Sequence, residues 1–321
     1  MWSGGSPTSP NSPASPSVTS ISARPSALRV WLAALRLPTL VAALVPVAVG
    51  SALAYRDYRF RLGPAVAALL GALAIQVGTN FANDLYDFRK GADSPERLGP
   101  PRVLPLGWLS PVTVSRAMIA AFSTATLAGI YLVSAAGWPV VAIGLASIAA
   151  GVGYTKGRFA LAYRGLGDLA VFVFFGLVAV AGTYYVQARL VTPLSFLVAI
   201  PVGSLCTAIL VVNNVRDLDT DRAAGKLTLA VRLGRGGTRI EYGTLLALAF
   251  AVPLALWLRG SLSVATLLPY ATASLAWRTL GTVLKREDGP ALNGALIDTA
   301  RLHGLFGLLF AAGVAVSGPG R

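Results

Sequence analysis

The residues that build most metal and redox centres are almost missing from this chain, which has one cysteine, Cys206, and one histidine, His303. That excludes a Cys/His zinc cluster and any intrachain disulfide, and it leaves the compartment unread from thiol usage. No Walker A loop or zincin helix is present, and the glycines of 234–237 do not make a nucleotide loop. Charge is scarce as well: 12% of the 321 residues are charged, and only 13 are acidic. What fills the chain instead is apolar, at 55% hydrophobic with a mean hydropathy of +0.66. Apolar runs of about 20 residues recur, the length that crosses a bilayer's hydrocarbon core. An all-α, polytopic membrane protein follows, with the lipid bilayer as its first partner.

Nine spans are expected, over 28–54, 62–88, 112–135, 139–156, 165–187, 193–216, 239–258, 261–281 and 299–318. With the N-terminus cytoplasmic, all 27 Lys and Arg lie inside except Arg56, Arg59, Arg61, Arg189, Arg259 and Arg321. The positive-inside rule favours this orientation in a cell membrane. The placement of the +14 net charge thereby answers to topology, and nucleic acid is not an expected partner. Every acidic residue except Asp57 also falls inside. Acidic residues carry little topological weight, so a cytoplasm-facing active site is the better cause of their segregation. Residues 1–26, rich in Ser and Pro without an apolar core, are expected to be a disordered cytoplasmic tail. They show no signal-peptide pattern. Residues 27–321 form the membrane domain.

The acidic residues fall into two clusters, each closing an apolar span. The first reads Asn80-Phe-Ala-Asn83-Asp84-Leu-Tyr-Asp87, with Asp93 and Glu96 beyond it. The second reads Asn213-Asn214-Val-Arg216-Asp217-Leu-Asp219-Thr-Asp221. Helical spacing puts Asn80, Asp84 and Asp87 on one face, and Asn213, Asp217 and Asp221 on another. Opposed, these faces make one acidic mouth, flanked by long loops over 88–111 and 217–238 that are candidate lids. Carboxylates at membrane depth cost roughly 2.5–3.5 kcal/mol each on insertion scales, which marks them as functional candidates. Asp84, Asp87, Asp217 and Asp221 would repel one another, and Mg²⁺ bridging them to a diphosphate removes the conflict. Asn80, Asn83, Asn213 and Asn214 add neutral oxygens. Arg89, Lys90, Arg97, Lys156, Arg158, Arg216 and Lys226 supply cations for phosphate. A metal there acts as a Lewis acid on a leaving group, and ionising an allylic diphosphate gives a carbocation for an electron-rich partner. A cation-coupled transporter is the alternative from another class, although its acids belong near mid-span.

At these residues the chain resembles the UbiA superfamily of intramembrane aromatic prenyltransferases. The first cluster with "KGADSPERLGPPRVLPLGWLSP" (90–111), and "NNVRDLDTDRAAGKLTLAVRLG" (213–234), resemble the subgroup acting on 1,4-dihydroxy-2-naphthoate in menaquinone synthesis. The stretches over 154–187 and 298–314 are similar to it as well, so the likeness spans nearly everything after residue 28. It implies nine helices around a central cavity open to lipid, with Mg²⁺ on Asp84 and Asp87 and on Asp217 and Asp221. It places Asn80, Asn83, Asp93, Asn213 and Asn214 in the same motifs. The implied substrates are a polyprenyl diphosphate and 1,4-dihydroxy-2-naphthoate, joined with loss of CO₂ and diphosphate to give demethylmenaquinone. Another aromatic acceptor, such as 4-hydroxybenzoate, is the alternative within the class.

Further polar residues have two readings each. Arg36 suits substrate carboxylate or phosphate, or snorkels at the interface. Tyr154 offers a ring face to an allyl cation, or anchors at the interface. Lys156 suits phosphate, or reflects positive-inside bias. Asp168 suits a substrate hydroxyl or the role of general base, or compensates a helix N-terminus. Lys226 and Arg216 complete the phosphate candidates. Phe172, Phe174 and Phe175 line a tail cavity or face lipid. His303 is expected to pack.

Overall fold

The computed structural model describes residue 1 and residues 25–91, 102–156 and 160–318. The Ser/Pro-rich segment over 2–24 and Asp93 lie outside the described residues. Among the described residues there is no strand.

A short helix α1 (Ala27–Leu35) is capped by Ser26, whose hydroxyl accepts from the Arg29 amide. It stops at Arg36, which takes the left-handed conformation (φ 52°, ψ 56°) before α2 (Leu37–Arg56) begins. The expected first span is therefore two helices. Pro38 explains the break, because it has no N–H to offer the Ala34 carbonyl and its ring would clash with that carbonyl in a continuous helix, whereas it is tolerated in the first turn of α2. Then come α3 (Leu62–Arg89), α4 (Pro111–Ala136) and α5 (Pro139–Gly153). They are followed by α6 (Gly167–Ala188) and α7 (Pro193–Arg216). A single turn, α8 (Leu218–Ala223), precedes α9 (Leu229–Leu258), which kinks at Gly234. The 3₁₀ stretch Val264–Thr272 runs into α10 (Ala273–Lys285), and α11 (Gly289–Val316) closes the chain.

Seven of the described helices (α2, α3, α4, α6, α7, α9 and α11) are long and apolar enough to cross a membrane. The other two expected spans fall on the shorter α5 and on the 3₁₀ stretch leading into α10. Hydropathy alone counts both as spans, because it does not register helix type or a break.

The main core joins α2, α6, α7, α9 and α11, with Leu53, Tyr184, Leu205, Tyr242 and Phe306 fully enclosed. On the other side α3 packs along α4, and α5 rests on both. The two halves are tied at the end away from the acidic clusters. There Arg189 Nε donates to the Ala135 carbonyl (2.8 Å), the Tyr185 hydroxyl to the Ala136 carbonyl (2.9 Å) and the Arg61 amide to Gln187 Oε1 (3.4 Å). At the acidic end Thr39, beside the α1–α2 break, meets Asn80 of α3, and a cavity lies between the halves.

Apolar burial drives little association between helices already in lipid, so close backbone contact has to do more of the work. One such close crossing is between α6 and α7. A Cβ on Gly176 would sit 2.7 Å from the Gly203 Cα, with backbone on both sides. The crossing lies within a π-helical stretch, Phe172–Val178, a local widening that often marks functional regions. It fixes the register that brings Asp168 on α6 beside Asn214 on α7. Gly203→Ala is expected to cost about 1–3 kcal/mol through overpacking and to lower the unfolding temperature in detergent. An unchanged melting temperature would contradict the close crossing.

Candidate active site

Asp84 and Asp87 sit in the last two turns of α3, 2% and 4% exposed. Their charges are met from outside the helix. Arg36, turned inward by its left-handed backbone, binds Asp84 directly. A non-glycine residue in that conformation stores strain, and here the strain aims a guanidinium at a carboxylate. Arg102 spans both acids, with Nε 3.5 Å from Asp84 and Nη1 2.9 Å from Asp87. It is anchored by its neighbours Val103 and Leu104, both buried in a cluster with α1, α3 and α4. Asn80 donates to Thr39 (2.9 Å) and to the Leu35 carbonyl (3.1 Å), tying α3 to the α1–α2 break. Asn83 accepts from Thr155 (2.6 Å).

The second cluster is built differently from the expectation of one continuous helical face. Helix α7 ends at Arg216, Asp217 is its bent C-cap (φ −92°, ψ 9°), and Asp221 belongs to the separate turn α8. Asn213, Asp217 and Asp221 still all line the cavity. The bend comes with a tight local clamp. Arg216 grips Asp217 through Nε (2.7 Å) and Nη2 (2.6 Å), and also donates to Asn213 (2.9 Å) and Asn293 (2.7 Å). The guanidinium is buried and engaged with protein on every side, which takes it away from the expected phosphate contact and makes it the support of Asp217.

Asp221 pairs with Lys226 at 3.5 Å. Burial pushes the Asp221 carboxyl above its ordinary range, Lys226 pulls it back, and Asp217 and Asp87 push it further up. The two clusters thus feel each other. Tyr163 bridges them: its hydroxyl donates to Asp87 (3.3 Å), and its ring lies under Lys90 (4.1 Å) and Lys226 (5.3 Å). Burial and the Asp87 carboxylate hold this phenol protonated well above its usual range.

Both clusters open on one cavity of about 890 Å³. Asn80, Asp87, Arg102, Asp217, Asp221 and Lys226 form its polar mouth, and Asn83, Tyr154, Asp168, Asn213 and Asn214 also line it. Deeper in, the wall becomes small and apolar, with Ala68, Gly71, Gly129, Gly144 and Phe174. From Asp87 to Ala68 it follows a run of α3 about 28 Å long at 1.5 Å per residue. That nearly matches the bilayer core, about 30 Å thick.

Two sequence candidates sit elsewhere. Lys156 is exposed, with its ammonium 5.4 Å from the centre of the Tyr86 ring, and is not part of the cavity wall. Asp84 shares a helical face with Asn80 and Asp87 but lies behind the wall, between Arg36 and Arg102. His303 is fully enclosed on α11, away from the wall. Arg102, Tyr163 and Gln76 were not singled out from sequence. Gln76 lines the cavity one turn deeper than Asn80 and donates to it at 3.4 Å. Of these, Arg102 had a legible signal, since it interrupts a Pro- and Leu-rich stretch beside the first cluster.

Among the described residues, no three Asp, Glu, His or Cys side chains gather closely enough to hold a metal by themselves. The donors that do converge are hard oxygens from both clusters, and the carboxyl of Asp221 is destabilised as an anion by its surroundings. Such a set suits Mg²⁺ whose shell is completed by a ligand's own oxygens. Site and fold together define a class: a multi-pass membrane protein that receives an anionic head at a charged mouth and a long apolar tail in the bundle.

The comparisons agree. The model of the UbiA prenyltransferase family matches residues 43–314. A 1,4-dihydroxy-2-naphthoate octaprenyltransferase of Mycobacterium tuberculosis is 38% identical over 285 residues, covering 89% of this chain and 95% of the relative. One of Escherichia coli is 36% identical over 299 residues, covering 91% and 97%. Among solved structures, a UbiA homolog from Archaeoglobus fulgidus bound to DMAPP and Mg²⁺ aligns with a TM-score of 0.61. It is 16% identical and covers 89% of this chain and 99% of that one. The chain belongs to the UbiA prenyltransferase family.

Tyr163 offers a direct test of the bridge between the clusters. Tyr163→Leu removes the ring under both lysines and the bond to Asp87, and is expected to slow prenyl transfer at least tenfold. Tyr163→Phe removes only the hydroxyl, worth about 1 kcal/mol, and is expected to lose about fivefold. Equal rates for the two variants in steady-state assays would contradict the ring's role.

Proposed function

We propose that this protein transfers a polyprenyl group from its diphosphate to 1,4-dihydroxy-2-naphthoate, with loss of CO₂ and diphosphate, in menaquinone biosynthesis. The observation that carries this reading is the shared mouth: two acidic clusters and the cations Arg36, Arg102 and Lys226 face one cavity that turns apolar with depth. The relatives named for this activity match nearly the whole chain.

In this reading Asp87, Asp217 and Asp221 hold Mg²⁺, with Asp84 behind them and Asn80, Asn83, Asn213 and Asn214 orienting the carboxylates. When bound, the metal supplies Lewis-acid stabilisation of the departing diphosphate. Arg36, Arg102 and Lys226 take the phosphate charge that remains. In the described geometry these cations sit on the carboxylates themselves, so ligand binding exchanges protein–protein ion pairs for phosphate contacts. Arg216 keeps Asp217 in place. The small-residue wall between α3, α4 and α5 holds the prenyl tail, and the dry interior protects a carbocation from water. The ring of Tyr154 lies on this path and stabilises positive charge through its face.

Purified protein with naphthoate acceptor, a prenyl diphosphate and Mg²⁺ is expected to give a product whose mass lacks CO₂, and EDTA is expected to stop its formation. Asp87→Asn and Asp221→Asn are each expected to lower turnover at least a hundredfold, the scale of losing a preorganised charge contact in a dry site. Full turnover by either variant would refute the metal role. Prenylated 4-hydroxybenzoate with untouched naphthoate would move the assignment to another acceptor, and solute flux without product would move it to a transporter.

The acidic end faces the cytoplasm of the cell membrane in this proposal, on the strength of the basic-residue bias. A cysteine introduced at the exposed Tyr58 is expected to react with an impermeant thiol reagent in intact cells, and one at Arg222 only after lysis. The native Cys206 is buried and adds little background. The reverse pattern would overturn the orientation.

A further inference from the structure

The cavity wall contains a carboxylate with unused capacity. Asp168, the second residue of α6, lines the cavity and is 4% exposed. One of its oxygens meets Asn214 Nδ2 at 3.5 Å, the outer limit of a hydrogen bond. The other, Oδ2, is buried and has no hydrogen-bond partner. The terminal torsion of Asp is broad and two-fold, so either oxygen can take the place beside Asn214 while the other is presented. A buried acceptor left unsatisfied is costly, and native structures usually keep one only where a ligand or a function answers it.

An aromatic ring and an apolar side chain stand beside Asp168 on the cavity wall. At the neighbouring Gly167, a Cβ would come within 3.0 Å of the Tyr154 phenol oxygen and 3.6 Å of Leu210 Cδ2, so both side chains crowd this point of the wall. Tyr154, Gly167, Leu210 and Asn214 all line the cavity. The cations Arg36, Arg102 and Lys226 belong to the mouth, bound to the Asp84, Asp87 and Asp221 carboxylates.

We propose that Asp168 is the acceptor-reading residue, and that it takes the O–H at position 4 of the naphthoate. The inference rests on the function proposed above and deepens it by fixing how the aromatic lies. Like charges repel, so the acceptor's carboxylate turns away from Asp168 and toward the basic mouth. The hydroxyl at position 1 is adjacent to that carboxylate and is occupied by it within the acceptor. The hydroxyl at position 4 has no internal partner, and it is the donor that Asp168 lacks.

This orientation sets the carboxylate-bearing carbon toward the diphosphate. The C–O bond of the prenyl diphosphate breaks with its electron pair leaving on diphosphate, and that ring carbon supplies the pair for the new C–C bond. The ring–carboxylate bond then breaks, CO₂ departs, and the pair it leaves restores the aromatic ring. No ring proton has to be removed. The oxygen at position 1, ortho to the attacked carbon, feeds the new bond; position 4 is meta to it, so Asp168 acts on binding and orientation.

The test compares 1,4-dihydroxy-2-naphthoate with 1-hydroxy-2-naphthoate, which lacks the hydroxyl in question. Wild-type protein is expected to favour the first at least tenfold in kcat/KM. Asp168→Ala is expected to raise the KM of the dihydroxy acceptor about tenfold, leave the KM of the prenyl diphosphate unchanged, and treat the two acceptors alike. Asp168→Asn, which keeps an acceptor oxygen, is expected to fall between. Binding of the fluorescent acceptor to metal-free protein provides the same comparison without turnover, and it reads any variant that is folded but inactive. Wild-type indifference to the missing hydroxyl, or undiminished discrimination by Asp168→Ala, would overturn the proposal. Absence of any prenylated naphthoate from wild-type protein would instead sink the function on which it rests.

Discussion

The structure depends on packing a group of carboxylates together at the edge of a low-dielectric interior. Two unit charges about 4 Å apart repel by about 4 kcal/mol at an effective dielectric of 20, and each also pays for leaving water. The protein meets this cost with cations drawn from separate places in the chain. Arg36 comes from a helix break, Arg102 from a loop, Arg216 from the same helix as its partner, and Lys226 from the turn beyond α8. Buried pairs of this sort are weak evidence for stability, since apolar replacements often do as well. Their use here is to fix the positions of the acids around the cavity mouth.

That arrangement shapes the rest of the fold. The halves of the bundle are joined away from the acids through Arg189, Tyr185 and Arg61 and beside the acids through Arg36 and Asn80, and the cavity lies between them. Helices approach most closely at glycines, as where Gly50 meets the backbone of α6 and Gly176 meets Gly203. These contacts set the rotation of α6 and α7, and hence which side chains reach the cavity. The polar mouth and the apolar depth then divide one substrate between them, anionic head and greasy tail.

Much of this was legible in the amino-acid order. Long apolar runs fix helices because no other open backbone structure satisfies itself in lipid, and the two Asn/Asp clusters stand out against so apolar a background. Contacts made by tertiary placement were not legible. Arg36 could be read as interfacial because Pro38 signals a break but not the left-handed backbone that turns the guanidinium inward. Arg216 carried the same charge as Lys226, but its burial against Asp217 and Asn293 depends on how α7 meets α11. Tyr163 sits in a connecting loop with no periodicity, and only the fold brings its ring beneath Lys90 and Lys226. Lys156 follows the inside bias of basic residues, and its exposure shows that bias alone does not place a side chain in the site.

The central claim is that both acidic clusters grip one pyrophosphoryl group through metal. Calorimetric titration of a non-ionisable prenyl thiolodiphosphate, with and without Mg²⁺, tests it most directly when done on wild type, Asp87→Asn, Asp221→Asn and the double variant. The account predicts Mg²⁺-dependent binding that either single change removes and that the double change weakens no further. Strong metal-dependent binding by one single variant, or losses that simply add, would show that the clusters act apart and would contradict it.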